Sequence, residues 1–218
     1  MTIPEEWPIL PIVAVNRHPV FPKFIKIVEI NDQKLIDIIR RKVKLNQPYA
    51  GIFVKKSDDN VDEVVASVDD LYPVGTFAQI VELQDLGSRV RMVLMAHRRI
   101  RINEQYLEEP AEPLILEDES SGAGVVEEIH TKSVDPADQR ILIGRTENVT
   151  HKEFETTEEI KAMTQEVIKT IRDIISLNPL YRDSLQQMLQ FGQRVVDNPV
   201  YLSDLGAALT GENRRVYS

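Results

Sequence analysis

Residues 10–30 read LPIVAVNRHPVFPKFIKIVEI. IVAV at 12–15 and FIKIVEI at 24–30 are β-branched and aliphatic runs of strand character, and NRHPVFPK stands between them with Pro19 and Pro22 bracketing Val20 and Phe21. A proline has no N–H to give to a sheet ladder, and it biases the preceding residue toward an extended backbone. The stretch therefore stops one strand and starts another without pairing in between, and it holds Val20, Phe21 and Phe24 on a stiff turn. Two roles suit such a turn. Its apolar side chains are presented to a partner at little entropic cost, because the loop is already ordered; or Phe21 or Phe24 plugs one end of a barrel, since large aromatics are usually buried.

Downstream, strand-like runs continue at YAGIFV (49–54), GTFAQIVELQ (75–84) and RVRMVLMAHRRIRI (89–102), the last long enough to bend or to form two strands. QDLGSR at 84–89 joins the last two, and its Asp85, Gly87 and Ser88 are hairpin-turn residues. One helix interrupts the series: NDQKLIDIIRRKVKLN (31–46) sets Leu35, Ile38, Ile39 and Val43 on one face, with Asn31 or Asp32 as its cap. Strands with a single early helix predict an α+β chain built on a small, partly closed barrel or curled sheet, not a doubly wound fold.

From about 108 to 139 the composition turns to acidic residues, Pro, Gly and Ser, too polar for a core, and reads as a mobile loop. LIL at 114–116 and RILIGRTENV at 140–149 are strand-like on either side, which makes the acidic stretch an insertion in the sheet domain. After residue 155 the period changes from 2 to 3.6. A capping box, Thr156 with Glu159, opens a helix to about 177 whose stripe is Ile160, Met163, Val167, Ile171 and Ile174. Asn178-Pro179 ends it, LYRDSLQQMLQFGQRVV follows with Leu185, Met188, Leu189 and Val196 inward, and Asn198-Pro199 opens a third helix ended by Gly211. These three helices predict a small bundle.

With 218 residues, 42% of them hydrophobic, the chain can bury a sizeable core. It has no cysteine, which excludes disulfides, thiolate metal sites and cysteine nucleophiles. His18, His97, His130 and His151 show no ligand spacing, and HExxH is absent. SGAG at 121–124 lacks the lysine of a phosphate loop, and no serine sits in a GxSxG-like turn. Carboxylates cluster in the acidic insertion, where no low-dielectric wall would shift them toward acid–base work. No apolar run approaches the ~18 residues of a membrane span, and MTIPEEWPIL has neither a secretory nor an Arg-rich organellar pattern. The net charge of -9 argues against nucleic acid as a partner, and RRKVK (40–44) and HRRIR (97–101) read as solvated faces, with Arg99 and Arg101 outward from a strand.

The order of parts carries more. A short strand, NRHPVFP, a strand, a helix, GTFAQI, DLG, RRI, and then NPLYRDSLQQM, DNPVYLSDLGAAL and TG resemble the N-terminal region of the ATP-dependent Lon protease family, most closely its mitochondrial branch, from about Leu10 to Gly211. The insertion at 117–139 has no counterpart in that likeness. The resemblance implies a PUA-like β-rich pseudo-barrel at 8–150, with the insertion in it, and a helical subdomain at 151–211 leading toward an ATPase module. It further implies a non-catalytic substrate-recognition and assembly region of a homohexameric serine protease of the mitochondrial matrix, recruiting unfolded or damaged proteins. No cofactor is then expected in this chain, because ATP and Mg belong to the ATPase module, and the Ser-Lys protease module also lies elsewhere. No membrane partner is implied. On this reading Val20, Phe21 and Phe24 are the candidate substrate-binding residues. An RNA-binding PUA-like module and a ubiquitin-ligase adaptor with a Lon-type N-terminal fold are the alternatives.

Overall fold

A computed structural model describes residues 3–57, 63–106, 143–177 and 198–210. The apolar runs form strands β1 (Ile9–Val15), β2 (Ile25–Ile30), β3 (Tyr49–Val54), β4 (Val74–Asp85), β5 (Val90–Tyr106) and β6 (Ile143–Asn148). Helix α1 (Gln33–Lys44) lies between β2 and β3, and α2 (Glu158–Leu177) and α3 (Pro199–Thr210) follow the sheet. The predicted insertion at 117–139, LIL at 114–116 and the predicted helix after Asn178-Pro179 lie outside the described residues.

β1 and β3 pair in parallel, Ile12 opposite Gly51, because β2 and α1 form a crossover between them; every other pairing among the described strands is antiparallel. β4 and β5 make the predicted hairpin. Gly87 takes a positive φ of 85°, which a Cβ would oppose, and its N–H donates to Asp85 Oδ1 at 2.9 Å.

The long run after residue 89 is a single strand of 17 residues, and it changes partner midway. Its first part pairs with β2, from Val90 to Met95; its last part pairs with β6, from Ile100 to Tyr106. Opposite β4, Ala96 faces Ala78 and Arg98 faces Phe77, so His97 is the extra residue of a β-bulge. The bend lets the pairings run from β5 through β4, β3, β1 and β6 back to β5. The result is the predicted β-rich pseudo-barrel. Among the described strands, β2 alone has a single neighbour.

Alternation sorts the side chains into two cores. Leu10, Ile12 and Ala14 of β1 join Tyr49, Phe53, Phe77, Ile100 and Ile102 on one face. Val13 and Val15 join Ala50, Ile52, Val54, Met92 and Leu94 on the other, beneath α1. β1 and β3, buried on both faces, accordingly read as unbroken apolar runs. α1 begins at Asp32, whose Oδ1 accepts from the Leu35 N–H at 2.9 Å. It buries Leu35, Ile36 and Ile39, so its inward face is turned toward Ile36, and Ile38 and Val43 are only partly covered. Arg40, on its outer side, grips Asp85 through two bonds of 2.7 Å and ties the helix to the hairpin.

α2 starts one residue later than the capping box implied: Thr157 Oγ1 accepts from the Ile160 N–H at 3.3 Å. Among its described side chains the buried ones are Ile168 and Ile171, whereas Met163 and Val167 are exposed, a correction to the predicted stripe. α3 is capped as expected, Asn198 Oδ1 accepting from the Val200 N–H at 2.9 Å.

The first core is packed closely enough to exclude a methyl group at one strand. A Cβ on Gly75 would overlap the Ile52 carbonyl oxygen and lie 2.5 Å from Phe53 Cδ1. Gly75→Ala is therefore expected to lower unfolding stability by about 1–3 kcal/mol, read from the urea midpoint at unchanged slope.

Candidate functional site

The proline turn is fixed from both ends. The Lys23 N–H donates to the Ala96 carbonyl at 2.8 Å and the Ala96 N–H to the Phe24 carbonyl at 2.9 Å, immediately before the His97 bulge. The Thr76 hydroxyl donates to the Val20 carbonyl from β4. The side chains, however, are not presented to solvent. Val20, Phe21 and Phe24 are 4%, 2% and 6% accessible. Val20 joins the core beneath α1, while Phe21 and Phe24 meet Ile168 and Ile171 of α2 and Tyr201, Leu202 and Leu205 of α3.

The three candidate substrate-binding residues are thus covered within the chain and not offered from an exposed turn. The two phenylalanines are buried, as large aromatics usually are, and their cover comes from the helices. They stand edge to face, with ring centroids 6.1 Å apart, and Phe24 stacks on Tyr201 at 5.7 Å. A stiff turn holds two rings side by side, and the helices' apolar residues supply the cover that the sheet does not.

An ion pair accompanies this apolar seam. Arg99 of β5 donates to Asp204 of α3, their side chains 15% and 7% accessible, and His151 Nε2 lies 3.2 Å from Arg99 Nη1. Burial raises the Asp204 carboxyl, and the hydrogen bond and charge of Arg99, with His151, oppose that shift. Arg99 is therefore not the solvated residue that strand alternation implied. Arg98 lies over the Phe77 ring at 3.9 Å and donates to Asn148 Oδ1 and the Pro4 carbonyl, both at 2.7 Å. Arg101 sits half-exposed beside Glu147, as an outward residue would. With Arg40 held by Asp85, the two basic segments are largely committed to contacts within the chain. Among the described residues no His, Asp or Glu cluster is arranged to hold a metal ion.

Exposed apolar residues occur just beyond the turn. Ile25 and Ile27 of β2 are 42% and 51% accessible and stand opposite Met95 and Val93 of β5. The first ladder bond, Ala96 N–H to the Phe24 carbonyl, sets the alternation. Backbone groups of residues 26, 28 and 30 then point at β5, and those of 25, 27 and 29 point away from the sheet. Val81, the extra residue of a second bulge in β4, is also exposed near this face. Sequence reading gave no reason to separate these isoleucines from the core, because FIKIVEI looks the same whether its strand is central or at an edge.

A sequence model of the substrate-binding domain of ATP-dependent protease La (LON) matches residues 9–214. The chain belongs to the LON substrate-binding domain family. It is 51% identical to the mitochondrial Lon protease homolog of Homo sapiens over 97% of this chain and 24% of that protein, and 37% identical to the Drosophila melanogaster homolog over 96% and 29%. This LON domain chain thus spans about a quarter of the length of the curated relatives it matches. The N-terminal domain of a Mycobacterium avium complex Lon protease superposes with a TM-score of 0.52 at 17% identity, covering 94% of this chain and 83% of that one, a likeness of fold.

Two outcomes follow from the seam in this LON domain. Phe21→Ala opens a cavity between turn and helices and is expected to cost about 3–5 kcal/mol, seen as a lowered melting temperature. Burial, and then the charges of Lys23 and Arg98, depress the pKa of His97 below its ordinary 6.5. The unfolded chain then takes up a proton that the folded chain resists. Stability present above about pH 6.5 falls as the pH drops toward the depressed folded value. In His97→Gln that limb of the stability–pH curve is expected to flatten.

Proposed function

We propose that this chain is the client-receiving, non-catalytic region of an ATP-dependent serine protease of the mitochondrial matrix. Unfolded or damaged proteins dock on it, and ATP hydrolysis and peptide cleavage are performed by modules outside this stretch. Family membership and the names of the mitochondrial relatives support this assignment. The same relationship supports a role in assembling a homohexamer, with the sheet region at 8–150 and the helices at 151–211 acting as successive subdomains.

The observation that carries the docking role is the outer margin of β2. Ile25 and Ile27 offer apolar area there, and the backbone groups beside them are directed away from the sheet. An extended client segment satisfies both at once by lying alongside as an added strand, its main chain bonding to residues 25, 27 and 29 and alternate apolar side chains covering the isoleucines. A folded protein seldom has such a segment to give, since its strands are paired with their neighbours and its edges are protected. Selection for unfolded chains follows from hydrogen-bonding supply, without any reactive side chain.

The test is binding of the 218-residue chain to a permanently unfolded, carboxymethylated protein, followed by fluorescence anisotropy, with the native form as control. Ile27→Lys should weaken capture by about fivefold or more, the loss of a central contact, while leaving the melting temperature nearly unchanged. Unaltered capture by the variant, or equal binding of the native form, contradicts the docking surface. ATP hydrolysis or proteolysis by the pure chain contradicts the non-catalytic assignment.

A further inference from the structure

A cleft of about 310 Å³ opens between the His97 bulge and the first turn of α3. Three cations, Lys23, Arg98 and Arg99, line it against one carboxylate, Asp204, in a chain whose net charge is -9. Asp204 is engaged by Arg99. Among the described residues no carboxylate stands at ion-pair distance from Lys23 or Arg98, so the cleft concentrates positive charge on an acidic protein. Two of its lining residues also keep a buried nitrogen without a hydrogen-bond partner, His97 Nε2 and Arg98 Nη2. Unpartnered buried polar atoms are rare and costly, and a pair of them beside one cleft calls for a specific reason.

We propose that this cleft is an oxyanion site, taking a carboxylate or phosphate group carried on a small apolar body. Lys23 and Arg98 supply the counter-charge. A small rotation of the His97 ring, in the tautomer that carries its proton on Nε2, brings that unpartnered nitrogen to a ligand oxygen, while Arg98 stays on Asn148 and the Pro4 carbonyl. Pro22, Val149 and Val200 form the apolar wall that accepts the body. Asn198 already occupies the Val200 and Tyr201 amides, so α3 contributes its N-terminal dipole and not free N–H groups. The site draws on the sheet and on α3 together, so an occupant bridges the same seam that Phe24 and Arg99 hold. Its lining includes neither Ile25 nor Ile27, and it stands independently of the client-docking role.

The measurement is a titration of the 218-residue chain at constant ionic strength, following the imidazole C2–H resonance of His97 by NMR, with N-acetyl-leucine, inorganic phosphate and uncharged N-acetyl-leucinamide as three probes. Saturable shifts with the carboxylate alone, the phosphate alone or both support the site and identify its ligand class; the amide is expected to be silent. Lys23→Gln, an exposed substitution that preserves the fold, should weaken the responding probe roughly two- to fivefold, as for loss of one partly screened charge contact. No saturable shift with either anion overturns the proposal. So do equal shifts with the amide, or an affinity unchanged in Lys23→Gln.

Discussion

β5 holds β2 and β6 along the same edge, and each residue of that edge can give its N–H and C=O only once. The sheet meets this constraint by dividing the strand. Val90 to Met95 serve β2 and Ile100 to Tyr106 serve β6, and the bulge at His97 bends the strand between the two allotments. Ring closure, the solitary position of β2, the location of the proline turn and the cleft beneath α3 all derive from that division. The turn is anchored to Ala96, the last residue before the bulge, and Arg99, just after it, reaches α3.

The helices are joined to the sheet by two kinds of contact with different physical character. The aromatic and aliphatic contacts of Phe21 and Phe24 with Ile168, Ile171, Tyr201 and Leu205 supply non-directional cohesion. The Arg99–Asp204 pair adds direction, because two charges taken largely out of water must meet in a defined geometry to offset their desolvation. Apolar packing alone would tolerate sliding of α3 along the turn. A paired buried carboxylate does not, since displacement leaves it without its guanidinium.

The sheet and its turns could be read from the chain because they rest on local chemistry: alternation in β1 to β6, Asp85 and Gly87 in the hairpin, Asp32 and Asn198 as caps. The family likeness rested on motifs spread over nearly the whole length. What could not be read depends on distant partners. Val167 and Ile168 are adjacent apolar residues on α2, and both choices keep a helical period; the phenylalanines, nearly 150 positions earlier, select Ile168. Phe21 and Phe24 were legible as a rigid aromatic pair, but not as covered by α2 and α3. Arg99 obeyed strand alternation until a helix arriving from residue 199 onward buried it. The isoleucines of β2 were hidden for the opposite reason: an edge strand is defined by a neighbour it lacks.

The open side of β2 also bears on how molecules of this chain treat one another. A strand margin that accepts a foreign segment is equally compatible with the same margin on another copy. Glu29 is exposed on the face that carries Ile25 and Ile27, so bringing two copies together parallel and in register stacks like charges. A residue of this kind acts as a gatekeeper, discouraging self-polymerisation at high concentration while leaving the apolar positions beside it free. Solubility and stickiness are thereby written into alternate residues of one six-residue strand.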